Sequence, residues 1–321
     1  MAFDLLKEVS GAKTIGISAH VRPDGDAVGS VMAVYLYLKK NLPADVKVIP
    51  VLQTPPDVFN CIKGVEDICT DFKPAVDAFD AYIGLDCSST DRYGDAEVLF
   101  NNAAKKIVID HHVINEEFGD VRYCVPAASS TCELVYDCLD ASKIDVDIAL
   151  AIYIGIIHDT GVLRYNSTSP KTLRCVADLI AYGFDFNKII DDTFYEKTMV
   201  QNEILGRCLL ESILFNEGRC IAAKVDKSTL DFYGATHHDL DGIVEVMRNT
   251  KGVEVSILLD EVESMKYKVS LRSKGAVNVA KIAQFYGGGG HDRAAGCTMS
   301  GTFHDCVNNL SDSIMMQLDG E

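Results

Sequence analysis

The sequence predicts an α/β protein, with a mainly parallel sheet covered by helices on both faces and then a smaller α/β domain. In the first half, short apolar runs alternate with longer segments of helical periodicity, as in strand–helix–strand units. In the second half, three strand-like runs precede one helix-like run. The chain has 321 residues, which suffices for two domains, and we expect a cleft between them.

The first predicted domain, residues 1–187, contains four apolar runs that are typical of buried strands. A helix should follow the first strand, another should begin at Ser130, and a third should span residues 145–158. Ser130 is followed three residues later by Glu133, which is the spacing of a capping box. The predicted strands are residues 14–19, 45–53, 80–85 and 107–109.

The second predicted domain, residues 216–321, follows a charged helical linker at 188–215. Its predicted strands cover residues 219–225, 253–260 and 267–272, and its predicted helix covers 277–285. A run of four glycines, 287–290, follows that helix and is predicted to be a loop.

The amino-acid composition limits the kinds of molecule that the protein is expected to bind. The net charge of −17 argues against a long basic groove for duplex nucleic acid. It leaves room for a small anionic substrate, because bound metal ions can reverse the sign locally. Eleven cysteines without a leader segment fit reduced thiols, so we expect a cytoplasmic protein. The most apolar run, residues 148–157, is too short to cross a bilayer, and no membrane contact is expected. The sequence leaves open whether the protein forms a homodimer.

Acidic and imidazole side chains follow the predicted strands at the points where they end. The carboxyl ends of parallel strands share one edge of a sheet, where ligands bind. Carboxylate oxygen and imidazole nitrogen together suit Mn²⁺, Fe²⁺, Co²⁺ or Zn²⁺. The residues concerned are His20, Asp24 and Asp26 in one loop, Asp86 after the next strand, Asp110, His111 and His112 after a third, and Asp159 after a helix.

Each of these residues also has an ordinary interpretation. A single Asp after a strand is most often a helix cap or a turn residue, and a single His is most often a surface or core residue. Their coincidence at successive loops favours a metal centre instead. Two ions about 4 Å apart would clamp a phosphorus atom and generate a hydroxide. Gly25 is expected to permit an unusual backbone angle between two of the acids.

Charge balance adds a requirement. The carboxylates of Asp24, Asp26, Asp86 and Asp159 contribute about −4, which two divalent ions would neutralise. An incoming phosphate therefore needs further cations or amide donors.

The ordered motifs HVRPDGD, GLDCSS, IDHH and HDTG resemble those of the DHH phosphoesterase family. The later segment VSLRSKGAVNVAKIAQFYGGGGHDRAAG resembles the DHH-associated domain of the same family. Together they span nearly the whole chain. Within the family, the chain is most similar to short oligoribonucleases that also act as pAp phosphatases, the nanoRNases.

The resemblance implies two divalent ions, expected to be Mn²⁺. His112 would face the scissile phosphate as charge stabiliser or general acid, and Asp110 would orient a histidine ring. The implied ligands are His20, Asp24 and Asp86 for one ion, and Asp26, Asp86, His111 and Asp159 for the other, with Asp86 bridging.

The glycine run and its neighbours form a second candidate site. Backbone N–H groups of a glycine-rich loop can approach an anion closely, and Arg272 can make a bidentate phosphate contact. A flexible turn with a surface histidine is the alternative. The resemblance implies that the phosphate or base at the other end of the substrate is bound by Arg272, Ser273, Asn278, Gly288, Gly289, Gly290 and His291.

The implied substrate is a short oligonucleotide or a nucleotide bisphosphate. The expected activity is cleavage of short oligonucleotides to mononucleotides, removal of the 3′-phosphate of pAp, or both. Alternatives within the enzyme class are hydrolysis of linear pApA or of a cyclic dinucleotide, and hydrolysis of pyrophosphate. A different class, a nucleotide-binding protein without activity, is a further alternative. The sequence leaves open the preferred substrate, the direction of cleavage and the metal used in the cell.

Overall fold

The structure is a computed structural model that describes residues 3–112 and 118–318. The chain divides into two compact units, Met1–Glu196 and Lys197–Glu321. The segment predicted as a linker, residues 188–215, spans this division. Its first part belongs to the first unit and the remainder to the second.

The first unit alternates strands with helices, as predicted. A π-helical turn, Asp191–Tyr195, follows its last helix. The strands are β1 (Thr14–Ser18), β2 (Lys47–Pro50), β3 (Ala81–Leu85), β4 (Lys106–Asp110) and β5 (Val121–Cys124). The helices are α1 (Leu5–Glu8), α2 (Gly25–Asn41), α3 (Glu97–Asn102), α4 (Thr131–Cys138), α5 (Val146–Asp159), α6 (Pro170–Ile180) and α7 (Phe186–Ile190).

The five strands form one sheet in the order β2-β1-β3-β4-β5, and every neighbouring pair is parallel. The carboxyl ends of all five strands therefore lie at one edge. The strand order reverses direction between β1 and β3, which makes this position the topological switch point. Open parallel sheets bind their ligands just outside such a point.

Helices and short turns cover both faces of this sheet, because alternate residues of each strand point to opposite sides. On β4, Ile107 and Ile109 are buried in the larger core together with residues of α2, α4 and α5. Val108 is buried on the other side with Tyr93 and Phe100. The predicted fold class, a parallel α/β sheet with two covered faces, is confirmed.

Two glycines allow α2 and α5 to pack closely. A Cβ atom on Gly29 of α2 would lie 2.5 Å from the carbonyl oxygen of Ala151. A Cβ atom on Gly155 of α5 would lie 2.2 Å from Cys132 Sγ and 2.8 Å from Asp26 Oδ1. Since real Cβ contacts are longer than this, any larger residue would push these helices apart. The close packing holds Asp26 against α4.

The second unit is a mixed six-stranded sheet with helices on both faces, in the order β10-β11-β9-β8-β7-β6. Only the β7–β8 pair is parallel among the described strand pairs. The strands are β6 (Ile213–Phe215), β7 (Cys220–Val225), β8 (Val255–Glu263), β9 (Lys266–Ser273), β10 (Gly289–His291) and β11 (Ala294–Ser300). The helices are α8 (Met199–Glu211), α9 (Lys227–Tyr233), α10 (Ile243–Arg248), α11 (Val279–Phe285) and α12 (Phe303–Leu318).

The glycine run departs from the prediction of a loop. Residues Gly289–His291 form β10, which pairs antiparallel with β11. A Cβ atom on Gly288 would lie 2.1 Å from the carbonyl oxygen of Gly296, and Gly290 has a φ of +143°. The glycines are therefore needed for close backbone approach, and the loop prediction was wrong at these residues.

No helix in the described part of the chain is long and apolar enough to cross a membrane.

Gly155→Ala is expected to destabilise the first unit by about 1–3 kcal/mol, because its methyl group would overlap Cys132 and Asp26. Thermal unfolding followed by circular dichroism measures the change. Gly206→Ala is the matched control, since Gly206 lies in α8 and nothing lies within 4 Å of the position that a methyl group would take. That control should raise stability by about 0.5–1 kcal/mol. Equal effects of the two substitutions would contradict the packing account.

Candidate metal centre

The strand order brings the predicted site residues together. His20 comes two residues after β1, and Asp86 comes directly after β3, so they lie on the two sides of the switch point. His20 Nε2 is 3.5 Å from Asp86 Oδ2 and 3.7 Å from Asp24 Oδ1. Asp110, the last residue of β4, and the histidines after it lie at the same edge.

Two acids of the site occupy the start of α2. Asp24 is the N-cap, and its Oδ1 accepts the backbone N–H groups of Asp26 and Ala27, both at 3.1 Å. Asp26 is buried, and its two carboxylate oxygens accept the backbone N–H groups of Thr131 at 2.6 Å and Cys132 at 2.9 Å. The amino end of α4 thus holds a buried carboxylate in place, as helix amino ends favour negative charge.

Asp86 is shared by the two halves of the cluster. Its Oδ2 faces His20, and its Oδ1 lies 3.6 Å from Nε2 of His111 and 3.6 Å from Nδ1 of His112. Thr131 Oγ1 also donates a hydrogen bond to Oδ1 at 3.0 Å. The backbone of Asp86 is left-handed, with a φ of +51°, which is uncommon and costly for a residue other than glycine. The fold therefore holds this carboxylate in a strained position between two histidine groups.

His111 approaches three carboxylates. Its Nε2 lies 3.5 Å from Asp159 Oδ2, 3.6 Å from Asp86 Oδ1 and 4.0 Å from Asp26 Oδ2. Asp159 is the last residue of α5, so this helix delivers the fourth acid to the sheet edge.

His112 makes a different contact. Its Nδ1 lies 2.8 Å from Oδ1 of Asp110, a fully buried carboxylate. That hydrogen bond fixes the orientation of the ring and occupies Nδ1, so Nε2 is the ring nitrogen that stays available. The bond to Asp110 raises the pKa of His112 to about 9, against the opposing effect of burial. Asp110 thus contacts a histidine ring, as the resemblance implied, and the roles of the three residues in catalysis and metal binding stay predictions.

The carboxylates of the cluster lie close enough to one another to shift their pKa values. Burial, together with the charges of Asp86 and Asp159, raises the pKa of Asp26 well above its ordinary value. Burial and the charges of Asp86 and Asp24 raise the pKa of Asp159 to about 7. Burial alone would lower the pKa of His20, but Asp24 and Asp86 outweigh it and raise that pKa to about 10. The site therefore favours bound positive charge.

These side chains fit divalent cations. In each of three groups, one ligand atom from every residue lies within 4.8 Å of the others. Two of the groups share Asp86, and two share His111, so the groups are contiguous. They are His20–Asp24–Asp86, Asp26–His111–Asp159 and Asp86–His111–His112. Oxygen and imidazole donors in this number suit a first-row divalent ion.

Gly25 has a role other than the one predicted. It is absent from the residues with positive φ, so the expectation of an unusual backbone angle was wrong. A Cβ atom there would lie 2.4 Å from Cγ of His158, whose ring packs against the loop. His158 Nε2 bonds Thr193 Oγ1 at 3.0 Å, and burial lowers the pKa of this imidazole to about 4. His158 is thus a neutral packing residue that braces the start of α2 between Asp24 and Asp26.

The predicted substrate residues lie in the second unit. Arg272 Nε donates to Glu245 Oε1 at 2.6 Å, a partner that the sequence did not suggest. The strand register places Arg272 opposite Ala294, and Ala294 opposite His291. Residues directly opposite one another share a face of an antiparallel sheet, so Arg272 and His291 flank the small side chain of Ala294. These two predicted residues therefore lie on one surface.

The other residues of this set are arranged around the same strand ends. Ser273 ends β9, is buried, and its Oγ has no hydrogen-bond partner among the described residues. Asn278 caps α11, with Oδ1 accepting the N–H of Lys281 at 3.0 Å and Nδ2 donating to Asp292 at 2.6 Å. Gly288 precedes β10, and Gly289 and Gly290 lie in it.

Sequence patterns missed the groups that hold the acids. The capping-box signal locates the start of α4, but nothing in it shows that Thr131 and Cys132 bind Asp26, which is more than 100 residues away. Gly155 likewise gives no local sign that it faces that carboxylate.

The chain matches models of two known protein domains. A model of the DHH family N-terminal domain matches residues 14–156, and a model of the DHHA1 domain matches residues 218–317. The chain is 30% identical over 300 residues to the bifunctional oligoribonuclease and PAP phosphatase NrnA of Thermus thermophilus, covering 93% of this chain and 87% of that protein.

The chain belongs to the DHH family. The resemblance drawn from its motifs is confirmed, and the protein is a hydrolase acting on phosphoester bonds. It is also 26% identical over 304 residues to the NrnA protein of Bacillus subtilis, with 93% of each chain covered. A crystal structure of an exopolyphosphatase-related protein from Bacteroides fragilis matches with a TM-score of 0.88 and 26% identity. That match covers 97% of this chain and 94% of the other.

Asp159→Asn is expected to raise the unfolding temperature of the metal-free protein at pH 8. An ordinary Asp has a pKa of 3.8, whereas here it is raised to about 7, so the folded state loses stability as pH rises from about 4 to about 7. The amide removes that charge and keeps the shape. Thermal unfolding in chelator, and again with Mn²⁺, measures both effects.

The rise in unfolding temperature on adding Mn²⁺ should be smaller in this variant than in wild type, because the substitution removes a candidate metal ligand. Asp77→Asn, at an exposed acid of the same unit, should change neither value. A lower unfolding temperature of Asp159→Asn in chelator would count against crowded charge at the site.

Proposed function

We propose that the protein is a manganese-dependent phosphohydrolase that acts on short oligonucleotides, on pAp, or on both. It would cleave dinucleotides and similar short chains to mononucleotides, and remove the 3′-phosphate of pAp. The observation that supports this most directly is the sharing of Asp86 between two groups of ligands at the carboxyl edge of the sheet. The names of the related proteins from Thermus thermophilus and Bacillus subtilis support the substrate class.

The proposed ligand sets follow the two halves of the cluster. Because the two oxygens of Asp86 face different histidines, a bridging role for it fits the geometry. Two divalent ions held by such sets would supply positive charge beside a phosphoryl group and would lower the pKa of a bound water. We assign His20, Asp24 and Asp86 to one ion, and Asp26, Asp86, His111 and Asp159 to the other.

His112 and Asp110 act on the substrate side in this proposal. Asp110 holds Nδ1 of the ring, so Nε2 is available to a phosphate oxygen. A protonated His112 can stabilise the charge of the reacting phosphate or donate its Nε2 proton to the leaving oxygen. Asp110 stabilises that imidazolium and fixes the ring orientation.

The second unit is proposed to bind the other end of the substrate. Arg272 and His291 share a sheet face, with the small Ala294 between them, and the buried hydroxyl of Ser273 lies at the next position of β9. A guanidinium and an imidazole on one surface suit a phosphate group. The proposed binding residues are Arg272, Ser273, Asn278, Gly288, Gly289, Gly290 and His291.

We further propose that the protein acts in the cytoplasm. The sequence has eleven cysteines, an odd number, scattered without a CxxC pair, which fits reduced thiols in a reducing compartment.

A substrate panel with added Mn²⁺ tests the proposed function. It contains pAp, oligonucleotides of two to five residues, cyclic dinucleotides and pyrophosphate. Release of AMP from pAp, or of mononucleotides from the short chains, is the expected result. Turnover of pyrophosphate or cyclic dinucleotides alone would replace the proposal with that activity. Binding of nucleotides without any turnover would make the chain a binding protein.

Asp86→Ala should reduce turnover by at least about a thousandfold and lower the bound metal below two ions per chain, since both ligand sets lose a member. Metal content after dialysis and initial rates are the two measurements. Asp77→Ala, at an exposed acid of the same unit, is the control for an added alanine and should match wild type. Retained turnover, or two ions still bound, would exclude the bridging role.

Arg272→Ala should raise the KM for the preferred substrate about 10- to 100-fold and change kcat less, because a charged hydrogen bond contributes about 1.5–3 kcal/mol to binding. Glu245→Gln is the matched variant, since it removes the acid that pairs with Arg272 and keeps the guanidinium. Its KM should not rise. An unchanged KM in Arg272→Ala would show that this side chain does not hold substrate.

A further inference from the structure

The candidate metal centre by itself would not balance the negative charge of a bound phosphate group. Four carboxylates, from Asp24, Asp26, Asp86 and Asp159, would be balanced by two divalent ions. A phosphate monoester brings about two more negative charges. His112, whose Nδ1 lies 2.8 Å from the buried carboxylate of Asp110, can contribute one positive charge. At least one further cation is therefore expected beside the cluster.

Arg22 lies within the loop that carries His20 and Asp24. Its backbone is left-handed, with a φ of +54°, although it is a bulky residue. The loop is held in that shape by its own contacts, since the N–H of Arg22 donates to Gln53 Oε1 at 2.7 Å. The side chain is exposed and forms no ion pair within residues 3–112 and 118–318. A strained arginine that has no acidic partner indicates a function for the guanidinium.

Arg92 is attached to the same loop from the other side. Its carbonyl oxygen accepts the N–H of Val21, the neighbour of Arg22, at 2.8 Å. Gly94 is left-handed and packs so closely on Val21 that a Cβ atom there would lie 2.5 Å from Val21 Cγ1. The backbone of Arg92 is thus fixed beside the loop that carries Arg22. The side chain of Arg92 is also exposed and makes no ion pair in the described part of the chain.

Arg92 also lies close to Asp86 along the chain. It is six residues after Asp86, in the turn that follows β3. Its carbonyl bond to Val21 therefore joins the segment after Asp86 to the loop that carries His20 and Asp24.

We propose that Arg22 and Arg92 form a pair at the edge of the candidate metal centre, and that this pair binds the phosphate group undergoing hydrolysis. This proposal rests on the proposed function, and it adds a preference for phosphate monoesters over diesters. A pair of arginines interacts more strongly with a monoester dianion than with a diester monoanion. The 3′-phosphate of pAp should therefore depend on the pair more than the linkage of a dinucleotide does.

The test uses Arg22→Gly rather than Arg22→Ala. Glycine adopts a left-handed backbone without strain, so the variant removes the guanidinium and keeps the loop conformation. Its unfolding temperature should equal or exceed that of wild type. With Mn²⁺ present, its KM for pAp should rise about 10- to 100-fold, and its KM for a dinucleotide should rise less. Arg22→Lys should recover part of the loss, because it restores the charge without the bidentate geometry.

A direct binding measurement separates substrate holding from chemistry. The probe is inorganic phosphate, titrated by calorimetry into the full chain with Mn²⁺. Affinity should fall about tenfold or more in Arg22→Gly and in Arg92→Ala, while the amount of bound Mn²⁺ stays the same. Arg174→Ala is the control, since Arg174 is an exposed arginine on α6 of the same unit. It should match wild type.

The outcomes distinguish this proposal from the proposed function. If phosphate affinity and KM in Arg22→Gly and Arg92→Ala match those of Arg174→Ala, the arginine pair is excluded and the proposed function stands. If wild type turns over neither pAp nor dinucleotides but phosphate affinity falls in both variants, the pair is supported and the proposed function fails. Equal increases in the KM for pAp and for the dinucleotide would overturn the preference for a monoester.

Discussion

The rest of the first unit depends on holding one carboxylate, that of Asp86, between two groups of ligands. Its two oxygens face His20 on one side and His111 and His112 on the other. A parallel sheet with the order β2-β1-β3-β4-β5 makes this possible, because β3 lies between the strands that lead to those histidines. The left-handed backbone of Asp86 shows that the fold accepts local strain to keep this position.

That arrangement brings several acidic groups close together. Hydrogen bonds from the surrounding backbone offset part of their repulsion. Backbone N–H groups at the start of α4 bind Asp26, and those at the start of α2 bind Asp24. Glycines at 25, 29 and 155 provide the space for the helices and the His158 ring to come close enough. The raised pKa values of Asp26 and Asp159 show that these contacts only partly compensate the repulsion. Divalent cations would remove the remainder, so metal binding and folding stability are coupled here.

Much of the fold could be predicted, and the strands that were missed have local causes. Long apolar runs, such as those of β3, β4 and α5, carry a strong periodic signal. The missed strands β5, β6 and β10 have three or four residues each, too few for a pattern to emerge. The strand β11 was also missed although it has seven residues, because it begins with Ala-Ala-Gly, residues that do not favour strands by local preference. In β10 the strand also consists largely of glycine, which by local preference favours a loop, and pairing with β11 overrides that preference.

The sequence by itself determined which acids, histidines and arginines are candidates for the site and in what order they occur, because the identity of a residue is a local fact. Tertiary structure decided how they are placed. It assigned the oxygens of Asp86 to different histidines and gave Asp26 the N–H groups of residues 131 and 132. It paired Arg272 with Glu245 and left Arg22 without an acid among the described residues. These outcomes depend on strand order and helix packing between residues far apart in the chain, which no local pattern records.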